Sequence, residues 1–212
     1  MNKTITSDYL LAVEGIDECN FFAKLLTHLN IPDIQCIDIK GTTNFANELP
    51  VIVSADGFWQ RVKAIGFIRD AENNPAEDAF KSITKIMKDN NLPIPTAPNQ
   101  VTVNTSPITG VFIMPDNAET GMLENLCLKT IEELPVYKCI ENFVSCFLKY
   151  QQEEEKLIFN KSKAMVQAYL SSRSKIANSL GIGAQKGYWD LNHKAFDDIK
   201  KFLKNLFLQN KN

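Results

Sequence analysis

The chain has 212 residues, of which 44% are hydrophobic and 23% charged, and its formal net charge is −2. This length and apolar fraction suffice for one sizeable hydrophobic core. The near-neutral charge argues against a protein that coats nucleic acid through a general basic field, but not against an enzyme that contacts phosphates locally. The five cysteines form no CxxC pair and no Cys/His cluster, which argues against structural zinc. The sequence shows no signal-peptide pattern and no membrane-spanning apolar run, so we expect a cytoplasmic protein with no membrane partner.

The first structural unit is a short apolar run followed by a helix. Residues 9–13 read Tyr-Leu-Leu-Ala-Val, which is too short for a helix and predicts a strand buried on both faces, as in parallel sheets. The run ends in Glu14 and Gly15, and Asp17 then opens an amphipathic helix over about residues 17–29, with acids in its first turn where the helix dipole favours them. Glu14 is therefore expected at the carboxyl end of a buried strand, the edge at which open α/β sheets bind ligands.

Strands and helices alternate along the next hundred residues. The pattern predicts further strands over 34–39, 62–68, 100–103 and 110–114, with helices beginning near 44, 75 and 121. This order predicts an α/β fold with a mainly parallel central sheet and helices on both of its faces. We expect residues 1–130 to form this α/β core and residues 131–212 to form a helical region packed on it.

The C-terminal region contains two further features. One predicted helix has apolar residues at helical spacing, namely Val136, Ile140, Phe143, Val144, Phe147 and Leu148. The glycine-rich stretch Gly181–Gly187 lacks the spacing of a P-loop and follows no strand, so we interpret it as a loop that ends a helix. Because the chain has no Walker A motif, an ATPase acting with it would be a separate protein.

Acidic residues follow three of the predicted strands. Glu14 follows the first, Asp70 and Glu72 follow the third, Asp116 follows the fifth, and Glu124 begins the next helix. The carboxyl ends of parallel strands lie at one edge of a sheet, so we expect these acids to converge. A single acid after a strand usually caps a helix or lies in a solvated loop, but three strands with the same ending favour a site. Clustered carboxylates repel one another unless a cation is present, and oxygen ligands without histidine suit Mg²⁺ or Mn²⁺.

The order of these motifs resembles that of a TOPRIM domain, which has a glutamate after its first strand and a D-x-D pair after a later one. The matching stretches are residues 11–17 (Leu-Ala-Val-Glu-Gly-Ile-Asp) and 67–72 (Phe-Ile-Arg-Asp-Ala-Glu), where Glu72 replaces the second aspartate. Residues 112–124 and 161–170 are similar to a small bacterial TOPRIM-like family related to the OLD-type nucleases.

The resemblance implies a set of site residues. Glu14, Asp17, Asp70, Glu72 and Glu124 would hold one or two Mg²⁺ or Mn²⁺ ions, which serve DNA cleavage in OLD-type enzymes. Glu14 and Asp70 would be catalytic. They would act with Lys163, which would neutralise charge in the transition state. A lysine on a helix usually faces solvent, which is the alternative for both lysines, and Lys161 is the weaker candidate for that task. The roles of Lys161 and Asp116 stay open.

Three functional hypotheses follow. The first is a metal-dependent phosphodiester-cleaving enzyme, a nuclease that acts on nucleic acid. The alternative is a non-catalytic TOPRIM-like subunit that acts with a partner ATPase, for example in phage defence. A receiver-type phosphoacceptor with Asp70 as acceptor is disfavoured, because Glu14 is followed by glycine rather than a second acid and Met114 by proline rather than lysine.

Overall fold

Five strands form the central sheet of the computed structural model, which describes residues 4–151 and 159–208. The strands are β1 (Tyr9–Val13), β2 (Ile34–Asp38), β3 (Ala64–Asp70), β4 (Gln100–Val101) and β5 (Ile108–Met114). Their order across the sheet is β2-β1-β3-β5-β4. The pairs β1–β2, β1–β3 and β3–β5 are parallel, and the short edge strand β4 is antiparallel to β5. The predicted α/β fold with a mainly parallel sheet is confirmed.

Helices cover both faces of this sheet. They are α1 (Ile16–His28), α2 (Phe45–Val53), α3 (Phe58–Arg61), α4 (Ala76–Asp89), α5 (Leu123–Lys129), α6 (Pro135–Leu148), α7 (Lys161–Ser171), α8 (Leu180–Gln185) and α9 (Asp197–Leu208). Short 3₁₀ turns occupy Thr42–Asn44 and Lys194–Phe196. Among the described residues, no helix combines the length and the apolar character needed to cross a membrane.

Alternation along the strands divides the interior into two cores. In β1, Leu11 and Val13 face the first core, which also holds the buried sides of α1 and of α5 to α9, whereas Leu10 and Ala12 face the second core, formed with α2 to α4. A fully buried aliphatic or aromatic side chain in such a core stabilises the fold by roughly 1.5–3 kcal/mol. The helices after residue 131 thus share a core with the strands.

Two glycines allow α9 to lie close to the sheet. Gly66 of β3 and Gly110 of β5 are partners in the strand register. A Cβ atom at Gly66 would lie 2.5 Å from Leu206 Cδ2, and one at Gly110 would lie 2.8 Å from Phe202 Cε2. The paired glycines therefore form a depression in the sheet into which α9 packs its large side chains.

The chain winds in opposite directions from the middle of the sheet. The connection from β1 to β2 passes through α1 on the first face, whereas the connection from β3 to β5 passes through α4 on the second face. The connections that leave the adjacent strands β1 and β3 therefore run to opposite faces of the sheet. In open α/β sheets this divergence leaves a crevice at the carboxyl ends of the two strands, where ligands bind.

The structure corrects three local predictions. The third strand extends two residues further than predicted, so Asp70 is its last residue and does not follow it. The stretch interpreted as a helix-ending loop contains a helix, α8. The apolar spacing in α6 overstates its buried face, because Ile140 and Val144 are buried whereas Phe143 and Phe147 are 63% and 47% exposed.

Candidate functional site

Glu14 and Asp70 lie together in the crevice between β1 and β3. Glu14 Oε1 accepts a hydrogen bond from the backbone N–H of Asp70 at 2.9 Å, and Glu14 Oε2 accepts one from the Thr42 hydroxyl, also at 2.9 Å. Asp70 Oδ1 accepts the backbone N–H of Leu123, the first residue of α5, at 3.2 Å. The end of β1, the end of β3, the turn before α2 and the start of α5 therefore converge on these two carboxylates.

The electrostatics of the crevice disfavour several negative charges at once. Burial raises the pKa of Asp70 well above its usual value, and the charges of Glu14, Glu124 and Glu18 raise it further. Burial also raises the pKa of Glu14, outweighing the hydrogen bonds that Glu14 accepts, with Glu18 and Glu72 adding repulsion. A proton or a cation relieves such a cluster.

Glu18 belongs to this cluster, although the sequence indicated only a first-turn acid that favours the helix dipole. Its carboxylate folds back over the start of α1, where Gly15 leaves room: a Cβ atom there would lie 2.7 Å from Glu18 Oε2. Burial raises the pKa of Glu18, and the charges of Glu124 and Asp17 contribute. Its position four residues after Glu14, across the turn that begins α1, is the signal that could have identified it.

Unlike Glu18, Asp17 accepts hydrogen bonds from a distant part of the chain. Its Oδ1 accepts hydrogen bonds from the backbone N–H of Gly181, at 2.8 Å, and from the Ser179 hydroxyl. Asp17 therefore connects the start of α1 to the start of α8. Its charge still reaches the cluster, since it contributes to the raised pKa values of Glu18 and Glu124.

Glu124 and Glu72 approach the crevice from the chain segments beside it. Burial raises the pKa of Glu124, with a further contribution from Asp17. Glu72 is exposed and has a left-handed backbone with φ of +57°. Its N–H and C=O pair with the backbone of Gly121, both at 2.7 Å. Glu72 Oε1 lies 3.3 Å from Thr42 Oγ1, so the Thr42 hydroxyl is within hydrogen-bonding distance of both Glu72 and Glu14.

The two candidate lysines of α7 act on different groups. The charge of Lys163 lowers the pKa of Glu18 and of Glu124, against the larger effect of burial, so Lys163 acts electrostatically on the acid cluster. Lys161 contributes instead to the lowered pKa of Glu141 on α6, where the hydrogen bond from Lys138 is the largest cause. The structure thus distinguishes the two lysines.

Asp116 follows β5 but forms part of a turn. Its Oδ1 accepts the backbone N–H groups of Ala118 and Glu119, at 3.3 and 3.0 Å, and its Oδ2 lies 3.4 Å from Lys129 Nζ. Burial alone would raise the pKa of Asp116, but these hydrogen bonds and the charge of Lys129 lower it. Asp116 is therefore satisfied by its own loop and by α5.

The donor chemistry of the crevice suits a hard divalent cation, because its side chains offer carboxylate and hydroxyl oxygens. As arranged, no group of three or more His, Cys, Asp and Glu side chains in residues 4–151 and 159–208 stands ready to hold a metal ion. Glu14 uses both of its carboxylate oxygens, and Asp17 one, to accept hydrogen bonds from protein donors. A bound cation would replace some of these donors and would also offset the repulsion that raises the pKa values of Glu14 and Asp70.

Structures of the C-terminal region of the OLD protein from Xanthomonas campestris pv. campestris match this chain. The iodine-phased structure is 10% identical with a TM-score of 0.49, and the match covers 97% of this chain and 98% of that one. The mercury-phased structure is 12% identical with a TM-score of 0.40, covering 93% and 85%. The platinum-phased structure is 13% identical with a TM-score of 0.39, covering 94% and 92%.

A search of the curated proteins gave no match. A family model, DUF3226, described as a protein of unknown function, matches residues 8–208. The chain therefore belongs to the DUF3226 family.

Proposed function

We propose that this protein is a divalent-metal-dependent phosphodiester-cleaving enzyme, a nuclease, whose centre is the crevice between β1 and β3. One observation carries the proposal. Carboxylates from separate segments converge there, and their burial and mutual repulsion raise the pKa values of Glu14, Glu18, Asp70 and Glu124. Such an arrangement costs stability, and a divalent cation relieves the cost by pairing with the charges.

The proposed ligands are Glu14, Glu18, Asp70 and Glu124, with Glu72 at the rim of the crevice. Asp17 is the least favoured of the ligands that the resemblance implies, because its Oδ1 accepts two hydrogen bonds at the start of α8. With one or two Mg²⁺ or Mn²⁺ ions bound, a water can be activated and the leaving oxygen of a phosphodiester stabilised.

Residues of the chain itself supply the rest of the proposed mechanism. The Thr42 hydroxyl and the N–H of Asp70 orient Glu14, and the N–H of Leu123 orients Asp70. Lys163 brings a positive charge to a strongly negative crevice, where it can offset the charge that develops on a phosphoryl group in the transition state. Without the bound ions and Lys163, the carboxylates of the crevice would repel a substrate phosphate.

A cleavage assay tests the proposal. Purified protein with Mn²⁺ should cut at least one of single-stranded DNA, duplex DNA and RNA, and chelation should stop the reaction. Glu14→Gln and Asp70→Asn should each lower the rate by at least about a hundredfold, the scale of losing a group that stabilises the transition state. Asp116→Asn is the matched control, because Asp116 also follows a strand but bonds to its own turn and Lys129. The proposal is wrong if every substrate stays intact and no metal binds.

One observation favours a second candidate, the non-catalytic subunit that acts with a separate ATPase. Within the described ranges no three acidic side chains already stand in a metal-binding arrangement, so metal binding could require a partner. Metal binding by the isolated protein without cleavage, together with co-purification of an ATPase, would support this candidate. Full activity of the isolated protein would exclude it.

A further inference from the structure

A polar groove opens beside the acid cluster, between the loop after β3 and the starts of α5 and α7. Its volume is about 510 Å³, within the range of ligand-binding clefts. We call it the Lys161 groove. The residues that line the groove include Glu72, Thr120, Asn125, Phe159, Lys161 and Ser162.

Glu72 lies between the groove and the proposed centre. Glu72 lines the groove, and its Oε1 lies 3.3 Å from Thr42 Oγ1. The same hydroxyl donates to Glu14 at 2.9 Å. A nucleic acid strand that is bound with one phosphodiester at Glu14 and Asp70 can therefore extend past Glu72 into the groove.

The walls of the groove are fixed by hydrogen bonds between its side chains. Asn125 of α5 donates from Nδ2 to Ser162 Oγ of α7 at 2.9 Å, and its Oδ1 accepts the N–H of Met122 at 3.0 Å. Asn160 caps α7 by accepting the N–H of Lys163 at 2.9 Å. The Asn125–Ser162 hydrogen bond joins α5 to α7, and the other two fix the first turn of each helix.

The groove offers a positive charge and an aromatic ring. Lys161 is exposed and makes no ion pair or hydrogen bond with any residue in the described ranges. Phe159 is partly exposed, and its ring lies 6.0 Å from that of Phe147. Single-stranded nucleic acid is bound in this way, by cations that contact phosphates and by aromatic faces on which bases stack.

We propose that the Lys161 groove binds the nucleotide next to the phosphodiester that is cleaved, with Lys161 on its phosphate and Phe159 against its base. The inference rests on the proposed function and makes its substrate a single strand, because a base in a duplex must first be unpaired and unstacked before it can lie against a protein ring. It also gives Lys161 a task distinct from that of Lys163.

The inference is tested by measuring how a fluorescent single-stranded oligonucleotide binds, using anisotropy with Ca²⁺ in place of Mg²⁺. Two groove variants are each compared with a matched control variant. Lys161→Gln should weaken binding several-fold and reduce the slope of log K against log salt by about 0.7, the value for one phosphate contact on a single strand. Lys85→Gln is its control, because Lys85 is exposed on α4, over the other face of the sheet. Phe159→Ala should weaken binding at least about fivefold. Phe147→Ala breaks the same ring pair from outside the groove and should bind as the wild type does.

The outcomes separate the two proposals. If the wild type binds and cleaves single strands, and each groove variant behaves like its control, the groove inference is wrong and the nuclease proposal stands. If the wild type neither binds nor cleaves any nucleic acid, the proposed function and the groove inference both fail. A loss confined to Lys161→Gln and Phe159→Ala supports the inference.

Discussion

Two neighbouring acids on the first turn of α1 perform different tasks. The charge of Glu18 raises the pKa values of Glu14 and Asp70, whereas Asp17 accepts hydrogen bonds at the start of α8. We therefore expect Glu18→Gln to lower Mn²⁺ affinity roughly tenfold or more. Asp17→Asn keeps the acceptor oxygen and should bind Mn²⁺ much as the wild type does, and isothermal titration calorimetry measures both.

For stability we expect the reverse, with substitution of Asp17 having a larger effect than substitution of Glu18. Asp17→Ala removes the acceptor for Gly181 and Ser179, and we expect it to lower the free energy of unfolding by about 0.5–2 kcal/mol, as loss of a helix cap does. Glu18→Gln should leave urea unfolding of the metal-free protein unchanged or slightly improved. If Asp17→Asn lost metal binding as completely as Glu18→Gln, Asp17 would be a ligand after all.

Asp70 gives a prediction about pH. Burial and like charges raise its pKa in the folded chain, whereas the unfolded chain has the ordinary value near 3.9. Between these two values the folded state holds more protons, so the metal-free protein loses stability as pH rises through that interval. A difference of one pKa unit corresponds to about 1.4 kcal/mol.

Asp70→Asn should therefore be more stable than the wild type at pH 7 in the presence of a chelator. It keeps an oxygen that can accept the N–H of Leu123 and removes the charge. Its advantage should disappear below about pH 4, where the wild-type carboxyl is protonated in both states. Urea unfolding at pH 4 and pH 7 measures this, and an advantage of equal size at both values would refute the electrostatic explanation.

At this scale the sequence predicted where Glu14 and Asp70 lie, but it did not predict the positions of Glu18 and Asp17. Glu14 and Asp70 could be placed because each ends a buried strand, and the sheet then fixes both at one edge. Glu18 could not, because its direction depends on how its side chain folds back over Gly15. The engagement of Asp17 by Gly181 joins residues 164 positions apart, a contact that no local pattern contains.

Among the helices, α8 shows how a glycine can be required inside a helix. A Cβ atom at Gly181 would lie 2.3 Å from the backbone oxygen of Asp17, so any larger residue would push α8 away from α1. We expect Gly181→Ala to lower the free energy of unfolding by about 1–3 kcal/mol, as overpacking does, although alanine favours helices. Asn178→Ala, at an exposed position before the helix, is the control, and an unchanged or raised stability of Gly181→Ala would contradict this packing.

The same helix explains why one element was predicted wrongly. Three glycines in seven residues indicate a loop, because glycine disfavours helices by roughly 1 kcal/mol relative to alanine. Here close packing of Gly181 on α1 and of Gly183 against Leu170 overrides that preference. The strands were predictable since their apolar runs reflect burial on two faces, but the order β2-β1-β3-β5-β4 was not, because pairing between distant strands leaves no local signal.

For the molecule as a whole, the proposed metal centre joins segments that span a large part of the chain. Its acids come from the ends of β1 and β3 and from the starts of α1 and α5, and Lys163 comes from α7. A cation bound there would tie together the four elements that supply acids, namely β1, β3, α1 and α5. Because it would bind the folded state only, it should raise the free energy of unfolding by about 2.7 kcal/mol at a hundredfold excess over Kd.

This metal-dependent stabilisation should depend on pH in the direction opposite to that of the metal-free protein. Protons and the cation compete for the same carboxylates, and the raised pKa values of Glu14, Asp70 and Glu124 strengthen the competition in weakly acidic solution. The increase in Tm that Mg²⁺ produces should therefore be larger at pH 8 than at pH 5. In Glu14→Gln it should be small at both values. An increase in Tm that was the same at pH 5 and pH 8 would mean that Mg²⁺ binds elsewhere, because only carboxylates that exchange protons for the ion couple its binding to pH across this range.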